Sequence, residues 1–110
     1  MDKVINLADI EFKDEIVKLP VFDNEQSSLT LISFKKGSKR ALHVDKKDEV
    51  AQIIKGKAKV AIGDKNYILN ENKMIIMPAL IPHGLEALED TIMLLLRPKH
   101  THNNENNLNI

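Results

Sequence analysis

Turn residues recur at short, regular intervals along this chain, and that spacing restricts the fold more than any other feature. From Leu29 onward, Gly, Pro, Asn and Asp interrupt the apolar runs about every 8–12 residues, which is the spacing of antiparallel sandwiches and barrels. Residues 57–62 alternate polar and apolar side chains, as expected for a strand with one solvated face. No long amphipathic helical pattern competes with these strands. The sequence therefore predicts an all-β fold.

The same signals predict where each strand and the domain end. We predict strands at residues 29–34, 41–45, 49–55, 57–62, 67–69, 74–77, 83–88 and 91–97. Residues 12–19 are expected to form a strand or an irregular edge segment. The chain has the length of one domain, predicted over residues 1–99 with a core at about 29–97. Residues 100–110 are polar and rich in Asn, and we expect them to be disordered.

Composition excludes several classes of function. The 16 basic and 16 acidic residues balance, so nothing attracts nucleic acid or an anionic membrane over long range. A short basic run, Lys35, Lys36, Lys39 and Arg40, is interpreted as a solvated turn rather than a binding patch. There is no Cys, so a bound metal would need nitrogen and oxygen ligands.

Two further expectations concern location and assembly. The first residues lack the apolar core of a signal peptide, and no apolar run could span a bilayer, so we expect a cytoplasmic protein. Residues 92–96 are apolar at every position, so both faces of that strand need cover. One face can line a barrel, and the other requires an N-terminal strand or a second subunit. We predict a homodimer.

Four residues could hold a divalent metal ion. His43 and Asp45 are two apart on a predicted strand and project from the same face. Glu49 begins the next strand after a short corner, and His83 begins a distant strand after a stiff segment that ends at Pro82. In an antiparallel barrel these positions can converge. Two imidazoles and two carboxylates suit Fe(II), Mn(II), Ni(II) or Zn(II).

The spacing of these residues resembles the cupin family. Gly37, five residues, His43, one residue, Asp45, three residues, Glu49, six residues and Gly56 is similar to the first cupin motif, which has His where this chain has Asp45. The second motif is matched only by Pro78 and His83. Asn72 stands at its first Gly position, and Asn is the best substitute for Gly where a turn needs positive φ. The resemblance extends over about residues 29–97.

By this resemblance the fold is a double-stranded β-helix, a jelly-roll-like barrel. His43, Glu49 and His83 take metal-ligand roles directly, and Asp45 takes one only by substitution. Asp is shorter than His and adds a negative charge. There are therefore two alternatives. The metal could have three protein ligands, with Asp45 forming a hydrogen bond to one of those side chains, or the site could bind no metal.

The resemblance implies three alternative functions. The first is a metalloenzyme that oxygenates, isomerises or decarboxylates a small polar or carboxylated molecule. The second is a module that binds a metal or small ligand without catalysis. The third is a metal-free enzyme of the sugar-isomerase type, in which His43 or His83 acts as a general base. We expect a mostly apolar cavity wall drawn from Leu42, Val44, Ile54, Val60, Met77 or Leu85.

Overall fold

The computed structural model describes residues 4–99 as an all-β structure with one short 3-10 turn. The predicted tail at residues 100–110 lies outside the described residues. Within the described part of the chain, no helix has the length and apolar character needed to cross a bilayer. The 3-10 turn is Leu7–Asp9, and the strands are β1 (Val17–Asp23), β2 (Ser27–Phe34), β3 (Lys39–His43), β4 (Glu49–Lys55), β5 (Lys57–Ile62), β6 (Lys65–Asn70), β7 (Met74–Met77), β8 (His83–Ala87) and β9 (Thr91–Pro98).

The strands form two antiparallel sheets that face each other. One sheet has five strands in the order β1-β2-β9-β4-β7, and the other has four in the order β3-β8-β5-β6. The chain crosses between the sheets after β2, β3, β4, β6, β7 and β8. This arrangement is the double-stranded β-helix that was predicted. β5 and β6 meet at a two-residue turn where Ile62 pairs with Lys65 and Gly63 has a φ of 60°, as tight hairpins require.

The core lies between the sheets and follows the two-residue period of the strands. Ile32, Phe34, Ile53 and Val60 are each at most 1% exposed and belong to one apolar cluster. Removal of this apolar surface from water is the main stabilising contribution to a fold of this kind. Inward-facing positions of β4, β8 and β9 continue the cluster up to the polar residues described below.

Part of the N-terminal segment packs on the outer face of the five-stranded sheet. Ser33 and Ile92 pair across β2 and β9, and each is 2% exposed. The Ser33 hydroxyl donates a hydrogen bond of 2.9 Å to the carbonyl oxygen of Glu11. The Nζ of Lys55 lies 5.6 Å from the ring centroid of Phe12. Of the residues predicted as a strand or irregular edge, only 17–19 are in β1, and 12–16 are irregular.

A row of apolar side chains crosses the rest of that outer face and is partly exposed. Leu96 pairs with Leu29 on one side and Val50 on the other, and Val50 pairs with Ile76. Paired residues project to the same side. Leu96 is 38% exposed and Ile76 is 62% exposed. Phe22, the β1 partner of Leu29, is 44% exposed and extends this outer apolar strip.

Candidate metal centre

The four-stranded sheet brings two histidines together. His43 is the last residue of β3 and pairs with His83, the first residue of β8. Their ring centroids are 4.3 Å apart with an angle of 64° between the planes. A register shift between Arg40 and His43 interrupts the pairing of β3 with β8. Both imidazoles therefore lie at the same end of the barrel.

Glu49 reaches the histidines from the facing sheet. It is the first residue of β4 and is only 2% exposed. Its Oε1 lies 3.2 Å from Nε2 of His83. Burial of a carboxylate is costly unless charged or polar partners surround it. The buried position of the Glu49 carboxylate therefore depends on the groups that contact it. His43, Glu49 and His83, which the sequence analysis expected to converge, lie together at this end of the barrel.

Two backbone amides of the loop before His83 donate hydrogen bonds to the corner that follows His43. The amide of Leu80 donates to the carbonyl oxygen of Asp45 at 2.7 Å. The amide of Ala79 donates to Oδ1 of Asp48, also at 2.7 Å. Leu80 has a φ of 67°, a conformation that few residues other than Gly adopt readily. These bonds place the start of β8 relative to the end of β3.

The three side chains fit a metal ion. One donor atom from each of His43, Glu49 and His83 lies within 4.8 Å of the others. Ligand atoms at about 2.1 Å from one ion lie about 3.0–3.4 Å apart at octahedral or tetrahedral angles, so the three donors would draw closer together around an ion. Both ring nitrogens of His43 are buried and have no hydrogen-bond partner among the described residues. Buried polar atoms are ordinarily paired, and a cation is one partner that could complete this imidazole.

Asp45 lies outside this cluster and contacts Arg97 instead. The guanidinium Nη2 donates to Oδ2 of Asp45, and Nε donates to Oε2 of Glu49 at 2.7 Å. The Asp45 Oδ1 also accepts a 3.3 Å hydrogen bond from the amide of Lys47. The structure thus brings together three of the four predicted ligands. It connects the fourth to them through an arginine that the sequence analysis did not single out.

The electrostatic environment matches these roles. Burial, followed by the positive charge of Arg40 and the proximity of His83, lowers the pKa of His43, which favours the neutral imidazole that a metal needs. Burial tends to raise the pKa of Asp45, but the charge of Arg97 and backbone hydrogen bonds outweigh it and lower that pKa. Burial also opposes the charge on Arg97, yet Glu49 and Asp45 raise its pKa. Arg97 therefore stays charged between two carboxylates.

A narrow cavity opens beside the cluster. The space open to the centre of a water molecule is about 20 Å³, roughly the room for one water. Of the expected wall residues, Met77 and Leu85 line it, whereas Leu42 and Val44 are 57% and 55% exposed and do not. Besides His43, Glu49 and His83, the cavity is lined by Phe34, Arg40, Met77, Gly84, Leu85, Met93 and Leu95.

Two arginines at this site were missed, for different reasons. Arg40 was interpreted as part of a solvated basic turn, but it lies on β3 and lines the cavity. Arg97 follows Met93 and Leu95 at two-residue spacing, so it belongs to the inward face of β9. The sequence did contain a signal for Arg97, because it is a single arginine that continues the two-residue spacing of the inward-facing residues of β9. No comparable signal separated Arg40 from its basic neighbours.

Comparison with known families agrees with this architecture. Residues 30–97 match the family model described as Cupin domain, which is more than half of the chain. No curated protein matches the chain. Among solved structures, a conserved protein of unknown function from Streptococcus pyogenes is 29% identical, with a TM-score of 0.81 and coverage of 91% of this chain and 90% of that one.

Two further solved structures are similar to this chain. A Cupin 2 conserved barrel domain protein from Leptotrichia buccalis is 28% identical, with a TM-score of 0.78 and coverage of 86% of this chain but only 47% of that one. A cupin superfamily protein from Desulfitobacterium hafniense is 19% identical, with a TM-score of 0.81 and coverage of 91% and 94%. At that identity the likeness concerns the fold alone.

Proposed function

This chain belongs to the cupin domain family, and from that premise we propose that it is a small metalloenzyme with one divalent ion held by His43, Glu49 and His83. The proposal is supported above all by His43, whose two ring nitrogens are buried without a partner among the described residues. A nitrogen and oxygen ligand set of this kind suits Fe, Mn, Ni or Zn. Asp45 could join it only if its carboxylate left Arg97.

The substrate is a small polar or carboxylated organic molecule. Three protein ligands leave coordination positions for a substrate oxygen, and a bound divalent ion would polarise or orient that oxygen. Met77, Leu85 and Leu95 surround the cluster with apolar surface, which excludes bulk water and strengthens polar contacts inside. The narrow cavity admits a compact molecule and excludes a polymer. Oxygenation, isomerisation and decarboxylation are the reaction types we propose to test.

The metal site is tested by metal content. Protein without a purification tag, carrying His100→Ala and His102→Ala to remove two imidazoles beyond the described residues, should bind one ion per chain. His43→Ala and His83→Ala should each lose that ion while keeping the β-type circular dichroism of the parent. Glu86→Ala is the matched control, because Glu86 lies on β8 but points outward to Lys59. Full metal content in both histidine variants would refute the site.

A second candidate function rests on the contact between Glu49 and His83. A carboxylate oxygen 3.2 Å from an imidazole nitrogen can orient a histidine as a general base without a metal. Turnover of a sugar or small acid by protein stripped of metal, lost in His83→Ala, would favour this alternative. Binding of small ligands without turnover under every metal, with and without oxygen, would favour a non-catalytic binding module.

We also propose that two chains associate through the outer apolar strip of the five-stranded sheet. The N-terminal segment covers the end of that face near Ile92 and Ser33 but leaves Leu96 and Ile76 exposed. The exposed row continues across neighbouring strands and carries no charge, so an identical copy related by a two-fold axis is complementary to it. Burial of such a row is favourable in proportion to its apolar area.

A further inference from the structure

Among residues 4–99, Arg40 is the one charged residue lining the cavity that the proposed metal site does not use. It lies on β3 beside Leu85 of β8, and Leu85 pairs in turn with Val60 in the core. Its neighbour Lys39 pairs with Glu86, which contacts Lys59 on the outer face. Because neighbouring residues on a strand face opposite sides, Arg40 points inward while Lys39 points outward.

The guanidinium of Arg40 has no ion-pair or hydrogen-bond partner within residues 4–99. Arg40 lines the same cavity as His43, Glu49 and His83, and its positive charge acts on His43. The nearby carboxylates are already engaged, since Arg97 contacts both Glu49 and Asp45. Arg40 is partly buried and makes no competing ion pair among the described residues, so its guanidinium is available to bind an anion that enters the cavity.

The backbone holds Arg40 in place. A Cβ at Gly84 would lie 2.9 Å from the carbonyl oxygen of Arg40 and 3.2 Å from the amide of Leu42. The absence of a side chain at Gly84 therefore lets β3 and β8 approach closely at this point. A functional side chain on a tightly packed strand is positioned more accurately than one on a loop.

We propose that Arg40 recognises the carboxylate of a compact anionic ligand that reaches the metal site. This inference rests on the proposed function and names the substrate class of that site. A divalent ion together with Arg40 and Arg97 outweighs the charges of Glu49 and Asp45, so the site with its ion attracts an anion. The planar guanidinium matches a carboxylate through two parallel hydrogen bonds. The cavity has about 20 Å³ open to the centre of a water molecule, roughly the room for one water, so only the carboxylate end of a ligand fits beside the cluster.

The test compares acetate with its neutral isostere acetamide on protein loaded with Co(II). Binding is followed by the visible absorption of the ion and by calorimetry, and metal content is measured for every variant. Arg40→Gln should weaken acetate binding about tenfold or more, because a charge-assisted pair is lost, while metal content stays unchanged. Arg40→Lys should recover part of the affinity. Lys39→Gln is the matched control, since it removes the same charge from the outer face of the same strand and should leave acetate binding unchanged.

Each outcome decides between the two proposals. Absence of metal from the unmodified protein overturns the proposed function and this inference together. Full metal content with equal acetate affinity in Arg40→Gln and Lys39→Gln overturns this inference alone. If acetamide bound as tightly as acetate, the site would not recognise the negative charge of the ligand, and this inference would be overturned. Inorganic phosphate displacing acetate at equal concentration would reassign Arg40 to tetrahedral oxyanions and overturn the carboxylate assignment.

Discussion

Arg97 donates from Nε to Oε2 of Glu49 at 2.7 Å, and the opposite oxygen of the same carboxylate lies 3.2 Å from Nε2 of His83. The Glu49 carboxylate therefore contacts the guanidinium of Arg97 at the barrel rim with one oxygen and the imidazole of His83 inside the barrel with the other. With Oε2 engaged by Arg97, Oε1 is the oxygen presented to the histidines. These two partners explain how a carboxylate that is 2% exposed is accommodated in the fold.

Replacement of Arg97 by Gln should destabilise the metal-free protein. The change leaves the buried Glu49 carboxylate without its main positive partner, at a cost of about 2–3 kcal/mol, which is less than for a fully buried pair because Arg97 is 42% exposed. Added metal should recover more stability in this variant than in the parent, since the ion replaces the lost charge. Urea denaturation with and without metal measures both effects.

The control for that experiment is Lys59→Gln. Lys59 contacts Glu86 at 3.5 Å on the outer face, with both side chains partly exposed, and exposed pairs of this kind contribute at most about 1 kcal/mol. Equal losses in Arg97→Gln and Lys59→Gln would contradict the structural role assigned to Arg97.

Removal of the Asp45 carboxylate should leave metal binding in place. In Asp45→Ala the three clustered ligands remain, so one ion per chain is expected, with affinity reduced at most about tenfold to a hundredfold through the altered position of Arg97. Asp45→His, which restores the residue of the family motif, should retain or tighten binding. Metal titration against a competing chelator measures both variants. Complete loss of the ion in Asp45→Ala would instead identify Asp45 as a direct ligand.

Two glycines of the first motif should differ sharply in their tolerance of a side chain. Gly37 and Gly56 both have a φ of 91°, which is unfavourable for Ala. A Cβ at Gly37 would meet nothing within 4 Å, whereas one at Gly56 would lie 2.2 Å from the carbonyl oxygen of Asp90. Gly37→Ala should therefore cost about 1–2 kcal/mol, and Gly56→Ala about 3 kcal/mol or more.

Urea denaturation of the two alanine variants measures the difference, and they serve as controls for each other because their backbone strain is matched. Similar stabilities in the pair would mean that the β9 hairpin moves away from Gly56 freely, against the packing described here.

A charge placed in the outer apolar strip should separate the proposed dimer. Leu96→Lys lies on the central strand of the five-stranded sheet and should give a monomeric mass by light scattering at tens of micromolar protein, because burial of an unpaired charge is costly. Ile68→Lys is the control, since Ile68 is 51% exposed on the other sheet. A monomeric mass for the unmodified protein would refute the dimer outright.

The sequence by itself determined most of the strands and the turns between them. β4, β5 and β7 have the predicted bounds, because alternation and turn residues are local signals that do not depend on distant contacts. Asn72 adopts a φ of 74°, as its place in the second motif implied. The meeting of His43, Glu49 and His83 followed from motif spacing within a barrel that local pattern already favoured.

Only the tertiary structure decided what the charged residues around that cluster do. Asp45 was predicted on the same strand as His43, but β3 ends at His43, and Asp45 contacts Arg97, which lies far away in sequence. Arg40 is one of four basic residues in a short run, and the sequence does not distinguish it from the other three. Only the register of β3 against β8 directs it into the cavity. The ion-pair partner of a charged side chain depends on which strands become neighbours. Among the available partners, distance and burial decide which pair forms. Those quantities exist only once the two sheets have packed together.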